Sequence, residues 1–112
     1  MVATSAHAPS SVDEMAEAGL EAAPCEQVKP PRVKKSPIAL ECTLLQIVEL
    51  PAMSTTNPNT MVIGQVIGIH VDDDVIVDGM IDVRKVNPLA RLGYLDYATI
   101  TPENIITVPR PD

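Results

Sequence analysis

The chain has 112 residues, a length that suits one domain with a single hydrophobic core. Its formal charge of −7 argues against nucleic-acid binding, because phosphate contacts need a concentrated basic face. Hydrophobic residues make up 46% of the chain but aromatic residues only 2%, so the core must be aliphatic, which favours β-strands.

Residues 1–36 are predicted to form an N-terminal segment with one short helix and a proline-rich connection. Ser11 and Glu14 have the spacing of a capping box, which predicts a helix over residues 11–18, with Gly19 ending it in a left-handed conformation. The prolines that follow predict an extended connection. Its basic residues are interpreted as a solvated linker that offsets nearby acids; they are Lys29, Arg32, Lys34 and Lys35.

Two long apolar segments predict the central strands of a domain that covers residues 37–112. They span residues 37–50 and 60–71, and we expect them to pair as a hairpin. In the first segment the apolar alternation shifts between Leu44 and Leu45. A β-bulge at this point would turn the apolar side chains on both sides of the shift inward.

Cys25 and Cys42 match no zinc-binding spacing, so no metal site is predicted from them. The N-terminus lacks the basic start and apolar run of a signal peptide, which predicts reduced thiols in the cytoplasm. Cys42 lies within an apolar strand and is expected in the core. The longest apolar stretches fall short of a membrane span.

The rest of the chain predicts short elements. Asp78 and Gly79 have the composition of a tight turn, and Asp82 can cap a helical turn over the letters "VRKV". This helix should end before Pro88, because the residue ahead of a proline resists helical geometry. Residues 98–108 predict one weak strand.

Residue types alone point to no catalytic group. His70 at a strand end is interpreted as a structural residue, and the run Asp72, Asp73, Asp74 lacks the spacing of a calcium loop and is interpreted as a solvated turn. The chain has no glycine-rich phosphate loop and no nucleophile elbow. An enzyme built on this sequence would therefore depend on a cofactor for its chemistry.

Three segments of the chain resemble the second half of the flavin reductase-like proteins, the FMN-binding split-barrel family. They read "SPIALECTLLQIVEL", "NTMVIGQVIGIHVDDDVIVDGMID" and "NPLARLGYLDYA". The earlier segment, from "TSA" to "PPRV", is also similar to a connecting segment of that family. These pieces are individually weak but together specific, since they follow the family's order with the expected gaps over nearly the whole chain.

The resemblance implies a mainly β fold, the C-terminal part of a Greek-key split β-barrel with one short helix. Family members are homodimers that hold FMN, and many use NADH or NADPH to reduce flavin for a partner oxygenase. They are longer than this chain, and their N-terminal half supplies much of the flavin-binding loop. The chain therefore looks like a C-terminal fragment of a protein that carries out flavin-dependent oxidoreduction when complete.

The resemblance also implies candidate cofactor-binding residues. In the segment "LARLGYLDY", Arg91 could supply positive charge and Gly93 a close approach of the backbone to the flavin. Tyr94 stands where relatives often have glycine, and Tyr97 matches the family's tyrosine, either against the flavin edge or packed under the barrel rim. Asn59 takes the position of the histidine in a "GDH" triplet that is associated with nicotinamide use.

A non-catalytic β-domain that mediates protein association and binds no cofactor is the alternative interpretation. Both long strands are apolar on both faces, so burying one face would leave the other exposed. Dimerisation, or pairing with a missing half, would cover that surface.

Overall fold

A computed structural model of the chain describes residues 12–51 and 59–111. The structure is mainly β, as the sequence predicts. The strands are β1 (Ala22–Ala23), β2 (Arg32–Val33), β3 (Ile38–Leu50), β4 (Asn59–Val71), β5 (Ile76–Val77), β6 (Met80–Ile81), β7 (Leu89–Arg91) and β8 (Tyr97–Thr99). The α-helices are α1 (Glu14–Glu17) and α2 (Val83–Val86), and single 3-10 turns occupy Asp73–Val75 and Pro102–Asn104.

The chain divides into two compact units, the first ending at His70 and the second beginning at Val71. In the described residues the strands pair consecutively, β1 with β2, β3 with β4, β5 with β6, and β7 with β8. The boundary that the sequence predicts between residues 36 and 37 stays a prediction.

Helix α1 is a single turn whose N-cap is Asp13. The Asp13 carboxylate accepts the backbone N–H groups of Met15 and Ala16 at 3.1 and 3.2 Å. The capping residue that the sequence predicts, Ser11, lies outside the described residues. In the structure the N-cap is Asp13. Gly19 follows the helix with φ of 73°, so the predicted left-handed ending is confirmed.

Strands β3 and β4 confirm the two long strands that the sequence predicts, but the side chains of β3 are not arranged as expected. Leu44 and Leu45 are 64% and 60% exposed, so the prediction that a bulge turns both inward is wrong. Cys42, expected in the core, is also exposed. Among the described residues β3 pairs only with β4, and a two-stranded sheet offers little second layer to cover its faces.

The buried residue of β3 is Glu41, which the sequence presents as a polar interruption of the apolar run. Only 2% of its surface is exposed. The other buried residues of the described part of the chain are Ala23 in β1 and Val75 in a 3-10 turn. Burial in the first unit therefore centres on a charged side chain, and the contacts of that side chain position the site described below.

In the second unit the predicted turns are confirmed. Asp78 and Gly79 connect β5 to β6 with φ of 51° and 77°, the left-handed pair of a type I′ hairpin turn. Asp82 caps α2 by accepting the backbone N–H of Arg84 at 3.0 Å, and Asn87 ends that helix with φ of 51°.

The weak strand predicted over residues 98–108 is shorter than expected. Strand β8 ends at Thr99, and a 3-10 turn begins at Pro102. Proline has no N–H to donate to a strand partner, and the Asn104 side chain accepts the backbone N–H of Thr101 at 2.9 Å, which fixes a local turn instead.

Replacing Gly79 by alanine should destabilise the second unit by about 1–2 kcal/mol, because a Cβ at a left-handed position crowds the backbone. Gly93→Ala is the matched control: φ of Gly93 lies outside the left-handed range and an added Cβ meets no atom within 4 Å. We expect it to change the free energy of unfolding by less than about 0.5 kcal/mol. Urea unfolding of both variants tests this, and equal losses would contradict it.

Candidate functional site

The carboxylate of Glu41 joins the proline-rich connection to strand β3. Its Oε1 accepts the backbone N–H groups of Gln27 at 2.7 Å and Val28 at 3.2 Å. Its Oε2 accepts the N–H of Glu26 at 3.1 Å. One side chain thus accepts the backbone N–H groups of three consecutive residues that lie outside the strands.

The same carboxylate contacts strand β4. The Nε2 atom of His70 forms a hydrogen bond with Oε2 of Glu41, and the His70 side chain is 24% exposed. His70 thus has a hydrogen-bond partner, and its interpretation as a structural residue stays a prediction. Glu41 therefore ties three separate segments together: the connection, β3 and β4.

These hydrogen bonds stabilise the ionised form of the carboxylate. The backbone N–H groups of Glu26 and Gln27 lower the pKa of Glu41 from its ordinary 4.5 to about 2, and the hydrogen bond and charge of His70 act in the same direction. Burial opposes them; its effect is smaller than that of either backbone bond but larger than either contribution of His70. The buried side chain of β3 is consequently an anion at neutral pH.

Cys25 completes a cluster of three side chains that each carry a potential metal-ligand atom. Its sulfur, a Glu41 carboxylate oxygen and a His70 ring nitrogen all lie within 4.8 Å of one another. Burial raises the pKa of the Cys25 thiol and the negative charge of Glu41 raises it further, while Arg32 opposes them. The thiol is therefore protonated at neutral pH, which disfavours a role as a nucleophile.

A cleft of about 450 Å³ adjoins this cluster in the first unit. Cys25, Arg32, Ser36 and Cys42 contribute polar or sulfur-containing groups to its wall, and most of its remaining lining is apolar. The Nε atom of Arg32 is buried and has no hydrogen-bond partner among the described residues. An oxygen acceptor bound in the cleft would satisfy it.

Four of the predicted cofactor-binding residues lie in the second unit, in strands β7 and β8 and the turn between them. Arg91 of β7 is the register partner of Tyr97 of β8, and its guanidinium carbon lies 4.7 Å from the centre of the Tyr97 ring. The same guanidinium group donates a hydrogen bond to the backbone carbonyl of Tyr94. Arg91 is therefore held by a cation–π contact and a hydrogen bond.

The turn between β7 and β8 is open to solvent at Gly93 and Tyr94. Tyr94 has φ of 55°, a left-handed backbone at the position where the resemblance implies glycine, and its side chain is 95% exposed. No atom lies within 4 Å of the point where Gly93 would carry a Cβ. The corner formed by residues 91–97 thus presents an aromatic ring and open space beside a fixed cation.

Asn59, the fifth predicted residue, is the first residue of β4 and is exposed. It belongs to the first unit, whereas the other four belong to the second. Asn57 and Pro58, which complete the triplet aligned with "GDH", lie outside the described residues.

Comparison with known proteins identifies the family of this chain. The sequence pattern of the flavin reductase like domain matches residues 1–89. The chain belongs to the flavin reductase-like family. The match ends before Arg91, so the assignment of the corner residues to a cofactor site stays a prediction.

Solved structures support the family and its fold. The flavin reductase-like chain is similar to nitrilotriacetate monooxygenase component B from Bacillus cereus, with a TM-score of 0.80 and 26% identity over 94% of this chain and 52% of that one. It is also similar to a split-barrel protein from Shewanella frigidimarina named as a flavin reductase, with a TM-score of 0.74 and 26% identity over 96% and 52% of the two chains. The predicted split-barrel class is confirmed.

A sequence relative gives the same picture. An uncharacterized protein of Halalkalibacterium halodurans is 32% identical over 89 residues, which are 80% of this chain and 43% of the relative. The flavin reductase-like chain thus spans about half the length of the relatives it matches. Its family is one of flavin-related oxidoreductases.

Motif spacing did not reveal the cluster of Cys25, Glu41 and His70. Glu41 lies 29 positions before His70, and short-range metal patterns do not extend that far. The available signal was Glu41 itself, since a carboxylate that is buried within an apolar strand needs a specific partner. As a separate observation, no helix in residues 12–51 and 59–111 has the length and apolar character needed to cross a membrane.

Stability should fall in acid as the Glu41 carboxylate is protonated. The folded pKa of about 2 lies below the ordinary 4.5, so the stabilisation is fully present above pH 4.5 and is lost as the pH falls from 4.5 towards 2. Urea unfolding across this window, in buffer with a chelator, should show a smaller acid-induced loss in Glu41→Gln than in the wild type. Glu49→Gln, which removes an exposed carboxylate from the same strand, should retain the wild-type decline. Identical pH profiles for the wild type and Glu41→Gln would contradict the assignment.

Proposed function

We propose that this chain forms part of an FMN-binding flavin reductase-like protein that uses NADH or NADPH as the electron donor. The observation that carries the proposal is the family match over residues 1–89. When bound, FMN would supply the redox chemistry, accepting a hydride from the reduced nicotinamide. The chain's own residues would bind and orient the two cofactors.

Arg91 is suited to hold an anionic part of FMN. Its guanidinium group is already positioned by the Tyr94 carbonyl and the Tyr97 ring, so little side-chain freedom would be lost on binding. A guanidinium group binds phosphate oxygens through charge-assisted hydrogen bonds. The open space at Gly93 would let a flat ring approach the backbone, and the exposed Tyr94 ring offers an aromatic face for it.

Asn59 would contribute to nicotinamide binding from the start of β4. A side-chain carboxamide both donates and accepts hydrogen bonds, which complements the carboxamide of nicotinamide. It cannot take up a proton as an imidazole can, so its role would be positioning only. Both cysteines are free, which supports a location in the cytoplasm, where thiols stay reduced and nicotinamide cofactors are available.

The exposed apolar surface of the long strands supports a proposal of partner binding. This β3–β4 surface consists of large side chains that are between 39% and 65% exposed: Leu40, Leu44, Leu45, Ile47, Leu50, Met61, Val62, Val66, Ile67 and Ile69. Patches of this kind are typical of association sites, because burying them removes apolar area from water. The proposal assigns this surface to a homodimer contact, with a flavin-dependent oxygenase as the acceptor of reduced flavin.

The same surface favours a second candidate function, a non-catalytic β-domain that mediates protein association without a cofactor. The two proposals differ in one measurable property. A flavin-binding chain retains FMN and its absorbance through gel filtration, whereas an association domain is indifferent to FMN.

Replacing Arg91 by alanine should weaken FMN binding by about tenfold or more, the effect of losing one charge-assisted hydrogen bond of about 1.5–3 kcal/mol. Quenching of flavin fluorescence during titration with the chain measures the dissociation constant. Arg110→Ala removes an exposed arginine elsewhere in the same unit and should leave the constant unchanged. FMN binding that both variants retain in full would argue against the corner, and a wild-type chain that binds no FMN would favour the association domain.

A lysine in the β3–β4 surface should disrupt association, because a charge buried in an apolar contact is strongly unfavourable. Leu44→Lys is expected to shift the sedimentation of the chain towards the monomer. Leu95→Lys is the control, since Leu95 is 76% exposed and lies in the second unit. A chain that is monomeric before substitution, or a Leu44→Lys variant that dimerises as well as the wild type, would overturn the homodimer assignment.

A further inference from the structure

Three ligand types that zinc prefers meet in the first unit of the chain. A thiol sulfur, a carboxylate oxygen and an imidazole nitrogen, from Cys25, Glu41 and His70, lie within 4.8 Å of one another. Tetrahedral zinc sites combine such sulfur, nitrogen and oxygen ligands at about 2.0–2.3 Å from the ion. Ligand atoms around one ion are then about 3–4 Å apart, so small side-chain rotations would bring this set into range.

The surroundings of Glu41 resemble the outer shell of a metal site. Three backbone N–H groups, from Glu26, Gln27 and Val28, fix the carboxylate in place. Hydrogen bonds of this kind orient the ligands of metal sites and raise affinity. An ion between Nε2 of His70 and Oε2 of Glu41 would replace the hydrogen bond that joins those atoms and leave the three backbone bonds intact.

Charge balance also favours a divalent ion. The Glu41 carboxylate carries one negative charge in a side chain that is only 2% exposed. Loss of the Cys25 thiol proton to solvent on binding supplies a second negative charge, while the imidazole binds in its neutral form. Two negative charges and one divalent ion sum to zero, which suits a buried position.

Cys25 also faces the cleft of about 450 Å³, which gives the cluster access to solvent. Three protein ligands and one water molecule are a common coordination set for zinc. Cys42 lines the same cleft but does not belong to the cluster. The two cysteines are therefore distinguishable by experiment.

We propose that Cys25, Glu41 and His70 bind one Zn²⁺ ion, with water as the fourth ligand. The ion fastens the connection that carries Cys25 to both long strands, because its ligands come from the connection, β3 and β4. This site is independent of the flavin proposal, and its test requires no cofactor.

Cobalt(II) reports on such a site, because a cysteine thiolate bound to Co²⁺ gives a sulfur-to-metal charge-transfer absorption. Titration of the reduced, full chain with Co²⁺ should give this absorption and reach saturation at one equivalent, and Zn²⁺ should abolish it by displacement. Cys25→Ser should remove the absorption. It should also weaken metal binding by more than about tenfold, because losing even an outer-shell partner costs about tenfold and Cys25 is a direct ligand. Cys42→Ser is the matched control and should behave as the wild type.

Thermal unfolding gives a second measurement, since a ligand of the folded state raises the midpoint temperature. Zn²⁺ should raise the midpoint of the wild type and Cys42→Ser, but not that of Cys25→Ser or His70→Gln. The proposal is overturned if the wild-type chain gives no thiolate absorption with Co²⁺. It is equally overturned if Cys25→Ser keeps the absorption, or if Cys42→Ser is the variant that loses it.

Discussion

The first unit of the chain depends on one buried carboxylate. Glu41 accepts three consecutive backbone N–H groups and contacts His70, so residues 26–28, which lie outside the strands, are fixed to β3 and β4. Backbone donors do not titrate, which keeps the carboxylate ionised far into the acid range. An unpaired carboxylate in the same position would be strongly destabilising. This network therefore holds residues 26–28, which directly follow Cys25, against the long strands.

The two units offer different chemistry. The first combines sulfur, nitrogen and oxygen ligands around Glu41, a set that suits a metal ion. The second holds a cation against an aromatic ring, with Arg91 over Tyr97 and an exposed Tyr94 nearby, an arrangement that suits an anionic and aromatic cofactor. The flavin-binding proposal rests on the second kind of chemistry. The proposed zinc site in the first unit is separate from that chemistry.

The aliphatic composition explains the exposed β3–β4 surface. With 2% aromatic residues the chain builds its long strands from Leu, Ile and Val, which suit a sheet that is covered on both faces. In the described residues β3 and β4 pair only with each other, and their large side chains stay exposed. A surface of this kind gains free energy at about 25 cal/mol for each Å² removed from water. Covering this surface would therefore be favourable, which is the physical basis of the proposed association.

Local patterns in the sequence determined the two long strands, the Asp78–Gly79 turn, the Asp82 cap and the family resemblance. The strands, the turn and the cap depend on neighbouring residues, through side-chain alternation, left-handed turn positions or N-cap hydrogen bonds, and the resemblance depends on the order of several such segments. Only the tertiary structure decided that Glu41 is the buried residue of β3, that Leu44 and Leu45 are exposed, and that Cys25 meets His70. The physical reason is that burial and ligand geometry depend on segments far apart in the chain, and alternation along one strand does not specify which of its faces a distant segment will cover.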